Sequence, residues 1–125
     1  MSASLTFGPV PQAPGFRFER HASLPSTNST AMAAARAGQA GGLWVLADVQ
    51  TQGRGRRGRN WVSPAGNLFA SVLLIDPGPR DRIGELPLVA AVALAEAVDS
   101  AVGAFGLARL KWPNDLLVGG AKLSG

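Results

Sequence analysis

The chain alternates between short apolar runs bounded by glycine or proline and longer stretches with helical spacing. "GGLWVLADVQ" (41–50) is an apolar run after two glycines and predicts a strand. "NLFASVLLID" (67–76) predicts a second strand, ended by "PGP", and "FRFER" (16–20) a short edge strand. "PSTNSTAMAAARAG" (25–38) predicts a helix: Ser26, Thr27 or Asn28 can cap it, the alanines propagate it and Gly38 closes it. A longer helix is expected from about Leu86, with Pro87 in its first turn, to Gly103. It is apolar nearly all round, so it should pack against a sheet.

The tail, "LARLKWPNDLLVGGAKLSG", predicts a strand, a Pro-Asn-Asp turn and a hairpin whose two-residue turn is Gly119-Gly120. That pairing sets Leu117 opposite Lys122, with Asp115 diagonal on the same side. The hairpin arm stops at Gly125, as a sheet cut off at its C-terminal side would. Residues 1–15 are rich in Pro, Gly and Ser and predict a poorly ordered lead-in. There is no internal repeat.

At 125 residues the chain fits one domain, able to bury roughly two-thirds of its unfolded surface. Its charge is concentrated: Arg54, Arg56, Arg57 and Arg59 share one six-residue window. Without those four, basic and acidic residues balance at 8 each, so the positive charge is a local device and not a broad footprint for nucleic acid. The absence of cysteine excludes a disulfide framework, thiol catalysis and cysteine-ligated zinc, and suits a reducing compartment. No secretory leader and no run of 18 apolar residues is present, so a soluble, cytoplasmic protein without a membrane partner is expected.

The arginines sit in "TQGRGRRGRNW" (51–61), where Gly53, Gly55 and Gly58 reproduce the spacing of a dinucleotide-binding turn. Such a turn needs a helix directly after the glycines, but here Pro64, Gly66 and then a strand follow. A nucleic-acid loop is opposed by the presence of just two lysines and by Trp61 as the sole aromatic in the loop. A solvated hairpin loop also remains open. The reading with most chemistry is a mobile loop that folds over an anion. Glycines allow close backbone approach, and arginines supply forked donors for carboxylate or phosphate. Ordering costs about 1 to 2 kcal/mol per residue. Charge-assisted hydrogen bonds of roughly 1.5 to 3 kcal/mol each offset this once ligand is present.

Four segments, "STN" (26–28), "QTQGRGRRGRNW" (50–61), "KWPNDLLV" (111–118) and "KLSG" (122–125), resemble motifs of the biotin–protein ligases, in the family's order and at similar spacing. The resemblance covers residues 24–125 and leaves 1–23 as an N-terminal lead-in. It implies an α+β fold, with a mixed β-sheet flanked by helices, related to class II aminoacyl-tRNA synthetases and lipoate ligases, and represented here in part. It also implies a two-step reaction. Biotin and MgATP give biotinyl-5′-AMP and pyrophosphate, and a specific lysine on the biotin carboxyl carrier domain of acetyl-CoA carboxylase then attacks the adenylate.

Carried over by position, the resemblance assigns Ser26, Thr27, Asn28 and Gln50 to biotin. Arg54, Gly55 and Arg56 belong to the loop that closes on biotin and the adenylate. Lys122 reaches between biotin's carboxyl and the α-phosphate. Arg59, Trp61, Lys111 and Asn114, with Arg54 and Arg56, fall on the nucleotide side, and Asp115 lies nearby. No protein-held metal site is expected, Mg²⁺ accompanying ATP. The 25 residues before the Ser26 triplet are too few for the DNA-binding domain of bifunctional members, so no DNA partner is expected. A homodimer stays open.

The chemistry is compatible with one histidine and no cysteine. Biotin's carboxylate is ionised at neutral pH and needs no general base to attack phosphorus. The step needs two anions aligned and charge on the phosphoryl oxygens stabilised, for which Arg56, Lys122 and Mg²⁺ are suitable types. In the second step the carrier lysine, near pKa ~10.4, must lose a proton, and Asp115 is the candidate to orient or deprotonate it. Read without the resemblance, Ser26 to Asn28 are a plain helix cap, Trp44, Trp112 and Leu116 are core, and His21 is a surface residue. A lipoate or octanoyl ligase of related fold and a non-enzymatic nucleic-acid-binding module are the two alternatives.

Overall fold

The computed structural model describes residues 14–125, so the expected lead-in over 1–15 lies outside them except for its last two positions. The chain divides at Ile75/Asp76 into two compact units.

The first unit is a three-stranded mixed sheet with one helix. Strand β1 (Arg17–Leu24) runs parallel to β2 (Leu43–Gln50), which pairs antiparallel with β3 (Phe69–Leu73), in the order β1-β2-β3. Parallel neighbours need a crossover, and helix α1 (Thr27–Arg36) supplies it. In β2, side chains point alternately to the two faces, burying Leu43, Val45 and Ala47 on one side. Leu43, Val45 and Leu73 pack with Ala31 and Ala34 of α1, joined by half-buried Leu24 and Ala35. Small alanines on that helix face let α1 lie close to the sheet. On β2's other face, Trp44 is half-buried and stacks on its cross-strand partner Phe18, ring centroids 6.3 Å apart.

Two expectations change here. The edge strand foreseen over 16–20 continues to Leu24, because its parallel register with β2 is kept through Leu24↔Gln50 even where Glu19, Arg20, His21 and Ser23 break any apolar alternation. His21 is accordingly half-buried within a strand. β3 is shorter than 67–76, since its pairing with β2 stops at Phe69 and Leu73.

In the second unit, a 3-10 segment (Arg80–Glu85) leads into helix α2 (Leu86–Val102), which ends at left-handed Gly103. An antiparallel sheet follows, β4 (Ala108–Lys111), β5 (Asp115–Val118) and β6 (Ala121–Ser124), in that order. Gly119 and Gly120 have φ of 58° and 80°, the pair of positive values that a tight two-residue hairpin turn requires. Asp99 joins helix to sheet: its carboxylate accepts from the backbone N–H of Gly106 at 2.9 Å and of Ala108 at 3.0 Å.

α2 packs on the sheet through fewer residues than its composition suggests. Ala91 is buried, but Leu88, Val89, Val92 and Leu94 are exposed, because β4 and β5, four residues each, cover only one side of a 17-residue helix. Leu116 is core at 1% exposure, whereas Trp112, expected in the core, is 77% exposed. It stands in the turn between β4 and β5 instead of in a strand.

Candidate functional site

The "STN" triplet sits where β1 passes into α1. Ser26 is the N-cap, extended in backbone, and its Oγ accepts from the Ser29 N–H at 3.3 Å. Thr27 begins the helix and is 4% exposed, and Asn28 is exposed. Gln50 ends β2 beside them. Its Oε1 accepts from the Thr27 N–H at 2.8 Å and from the Thr27 hydroxyl at 3.2 Å. Thr27 Oγ1 also lies 2.8 Å from Ser71 Oγ of β3.

From Gln50 the arginine loop runs out and returns. Gln50 bridges Ser63 and Arg54 bridges Asn60, so the loop has an antiparallel stem. The Trp61 N–H donates to the Gly53 carbonyl at 2.9 Å and the Gly55 N–H to that of Arg59 at 2.6 Å. At the tip, Arg56–Gly58 make a single 3-10 turn in which Arg57 adopts φ 59°, ψ 34°. Left-handed backbone at a non-glycine residue is uncommon, and here it reverses the chain between two arginines. Arg54 ties the loop back to α1 by donating from Nη2 to Ser29 Oγ at 2.9 Å.

These segments border an open pocket of about 380 Å³ lined by Ser26, Asn28, Arg54, Gly55 and Gly58. Two motifs that are separate in sequence thus meet at one hollow. Arg56, Arg57 and Arg59 are exposed, and among the described residues no carboxylate pairs with any of the four loop arginines. Of the four arginines Arg54 lines the pocket, and a pocket lined by a guanidinium without a carboxylate partner favours an anionic ligand.

Thr27 and Gln50 bond one another behind that lining and are not part of it, while half-buried Trp61 lies in the loop's returning stem. In the second unit, exposed Lys111 pairs in register with Asp115, and half-buried Asn114 occupies the intervening turn. Leu117 pairs with Lys122, as expected, next to a register shift between Leu116 and Leu117. Lys122 Nζ then reaches to 3.1 Å from Asp115 Oδ1. Among the described residues no three His, Cys, Asp or Glu side chains gather in a way that could hold a metal ion. No helix among them is long and apolar enough to cross a membrane.

Sequence reasoning missed Gly58 in the lining and three serines, Ser29, Ser63 and Ser71, that hold the motif residues. Gly58 was visible in the glycine spacing of the loop. The serines carried no local signal for these contacts, whose partners Arg54, Gln50 and Thr27 are 25, 13 and 44 residues away.

Residues 21–125 match the Biotin/lipoate A/B protein ligase family. The chain belongs to this family. It is 44% identical over 104 residues to the biotin–[acetyl-CoA-carboxylase] ligase of Paracoccus denitrificans, covering 83% of this chain and 43% of that protein. Among solved structures it resembles the biotin protein ligase of Aquifex aeolicus in complex with biotin and ATP, with a TM-score of 0.72, 31% identity, and coverage of 84% of this chain and 43% of that one. The Leishmania major biotin protein ligase in complex with biotinyl-5-AMP gives a TM-score of 0.70 at 29% identity, covering 89% of this chain and 50% of that one. This family member therefore spans half or less of the length of those relatives. Its mixed and antiparallel sheets with flanking helices follow the biotin protein ligase fold.

Proposed function

We propose that this chain carries the biotin-activating part of a biotin–protein ligase, which condenses biotin with ATP to biotinyl-5′-AMP and transfers biotin to a lysine of the biotin carboxyl carrier domain of acetyl-CoA carboxylase. The observation that carries the reading is the convergence of Ser26 and Asn28 with Arg54 and Gly55 on one cavity. The complexes of the relatives with biotin, ATP and biotinyl-5-AMP supply the ligand class. The absence of cysteine agrees with a cytoplasmic setting.

In this reading the cavity takes biotin, with Ser26 and Asn28 at its ring end and Thr27 and Gln50 as the polar frame behind. A biotin carboxylate oxygen attacks the α-phosphorus of ATP, the bond to the bridging oxygen of the β-phosphate breaks, and pyrophosphate leaves. Arg54 and Arg56 offset the charge on the carboxylate and phosphoryl oxygens, and Lys122 does so between them. Mg²⁺ enters with ATP as part of the substrate. Arg59, Trp61, Lys111 and Asn114 serve the nucleotide. The carrier lysine's amine then attacks the acyl carbon, AMP leaves, and Asp115 orients the amine or takes its proton. Loop closure keeps water from the mixed anhydride.

The test is a calorimetric titration of the chain with biotin, repeated with lipoate and with Arg56→Ala. Saturable heat with biotin, none with lipoate, and affinity on the order of tenfold or more weaker in Arg56→Ala are expected, from the worth of one charge-assisted hydrogen bond. Uptake of lipoate in place of biotin would turn the reading to the family's other substrate. Uptake of neither by a folded chain would sink it.

A further inference from the structure

Ser63 lies beyond the motif segments, yet it is 5% exposed and ties two parts of the site together. The direction of its bonds follows from donor chemistry. A backbone N–H can only donate, so the atom of the Gln50 amide 2.8 Å from Thr27 N is the oxygen, and the amide nitrogen faces away. That nitrogen donates to Ser63 Oγ at 3.1 Å, and the hydroxyl proton of Ser63 goes on to the Trp61 carbonyl at 3.0 Å. The series from Thr27 through Gln50 and Ser63 to Trp61 therefore has a single polarity. Main-chain bonds run alongside it, from the Gln50 N–H to the Ser63 carbonyl and from the Trp61 N–H to that of Gly53. Gly53 leaves the space for this relay: a Cβ there would stand 2.5 Å from both Ser63 Oγ and Trp61 O, and 3.2 Å from Gln50 Nε2.

We propose that Ser63 is a positioning residue whose hydroxyl couples the Gln50 amide to the returning stem of the arginine loop, so that the polar frame behind α1 and the loop stem hold one another in place. The identity of the ligand rests on the biotin reading above, while the coupling rests on geometry alone. Without the hydroxyl, the amide nitrogen of Gln50 and the carbonyl of Trp61 lose a shared partner in a part-buried setting. The loop stem then keeps its main-chain bonds, including that from the Gln50 N–H, but loses its link to the Gln50 side-chain amide.

The experiment measures backbone amide hydrogen exchange and biotin titration on the unsubstituted chain, Ser63→Ala and Ser63→Thr. Ser63→Ala is expected to speed exchange at Gly55, Arg59 and Trp61 on the order of tenfold, leave the amides pairing β1 with β2 unchanged, and weaken biotin by a similar factor. Ser63→Thr, which keeps the hydroxyl, is expected to restore both. Unchanged loop exchange in Ser63→Ala, equal acceleration in loop and strands, or no recovery in Ser63→Thr would each overturn the coupling. Absence of biotin uptake by the unsubstituted chain would remove the functional reading instead, and the exchange pattern would still decide the coupling.

Discussion

Thr27 directs both its backbone N–H and its hydroxyl to a single atom, Gln50 Oε1, at 2.8 and 3.2 Å. The two residues are the first of α1 and the last of β2, so this contact joins the start of the helix to the end of the strand. Thr27 is 4% exposed, which leaves its N–H no water to turn to. Gln50→Leu is expected to destabilise the chain by about 1 to 3 kcal/mol, the cost of a buried donor without an acceptor. Thr27→Val keeps the N–H bond and loses only the hydroxyl's contacts, so about 1 kcal/mol is expected. Urea unfolding of both variants gives the order, and a costlier Thr27→Val would contradict it.

Gly53 and Gly55 look equivalent in the loop sequence but differ in space, and neither is in the left-handed region. A Cβ at Gly53 would press on Ser63 Oγ and on the Trp61 carbonyl at 2.5 Å, whereas one at Gly55 would meet Arg59 and Trp61 at 3.5 Å or more. The carbonyl is backbone and cannot swing aside as a side-chain end does. Gly53→Ala should therefore cost about 1 to 3 kcal/mol, as overpacking does. Gly55→Ala should be neutral or slightly stabilising, by up to about 1 kcal/mol, through the unfolded chain's lost freedom. Thermal unfolding separates the two, and equal melting shifts would count against the packing account.

What could be read from sequence was what local chemistry determines. Ser26 as a cap, Gly103 as a helix end and Gly119-Gly120 as a hairpin turn each express a preference decided within a few residues, and Leu117 opposite Lys122 follows once that turn is set. Ser63 and Ser71 escaped because nothing near them in the chain marks them. They matter through the bridge that brings Ser63 to Gln50 and the packing of α1 on β3 that brings Ser71 to Thr27. Trp112 reads as core by size and apolarity, but its place in a turn leaves it at the surface. The loop's concentration of arginine and glycine was legible, but its antiparallel stem and the bond from Arg54 to Ser29 were not.

Asp99 is half-buried in the last turns of α2 and accepts two backbone N–H bonds from the segment entering β4. Asp99→Ala removes both acceptors and should cost about 1 to 3 kcal/mol, while Asp99→Asn retains one and should cost less. Hydrogen exchange provides the local readout: the Gly106 and Ala108 amides should lose protection in both variants, more in Asp99→Ala. Retained protection would mean that other contacts hold the junction.

Lys122 and Asp115 form an ion pair at 3.1 Å with the lysine side chain 42% exposed and the aspartate 22%. Pairs this open to solvent contribute about 0 to 1 kcal/mol, so neither Lys122→Ala nor Asp115→Asn should shift unfolding by more than that. Their effect on the proposed chemistry should be far larger for the lysine. If Lys122 is an aligned donor between biotin's carboxylate and the α-phosphate, its loss should slow formation of biotinyl-5′-AMP by ~10²- to 10³-fold. Asp115→Asn keeps a polar oxygen beside the ammonium, so it should slow that step less and impair transfer to the carrier lysine more. Single-turnover assays of the two half-reactions, run beside urea unfolding, separate these effects. An Asp115→Asn variant normal in both steps would remove Asp115 from the mechanism, and loss of activity in proportion to loss of fold would reduce the pair to a structural contact.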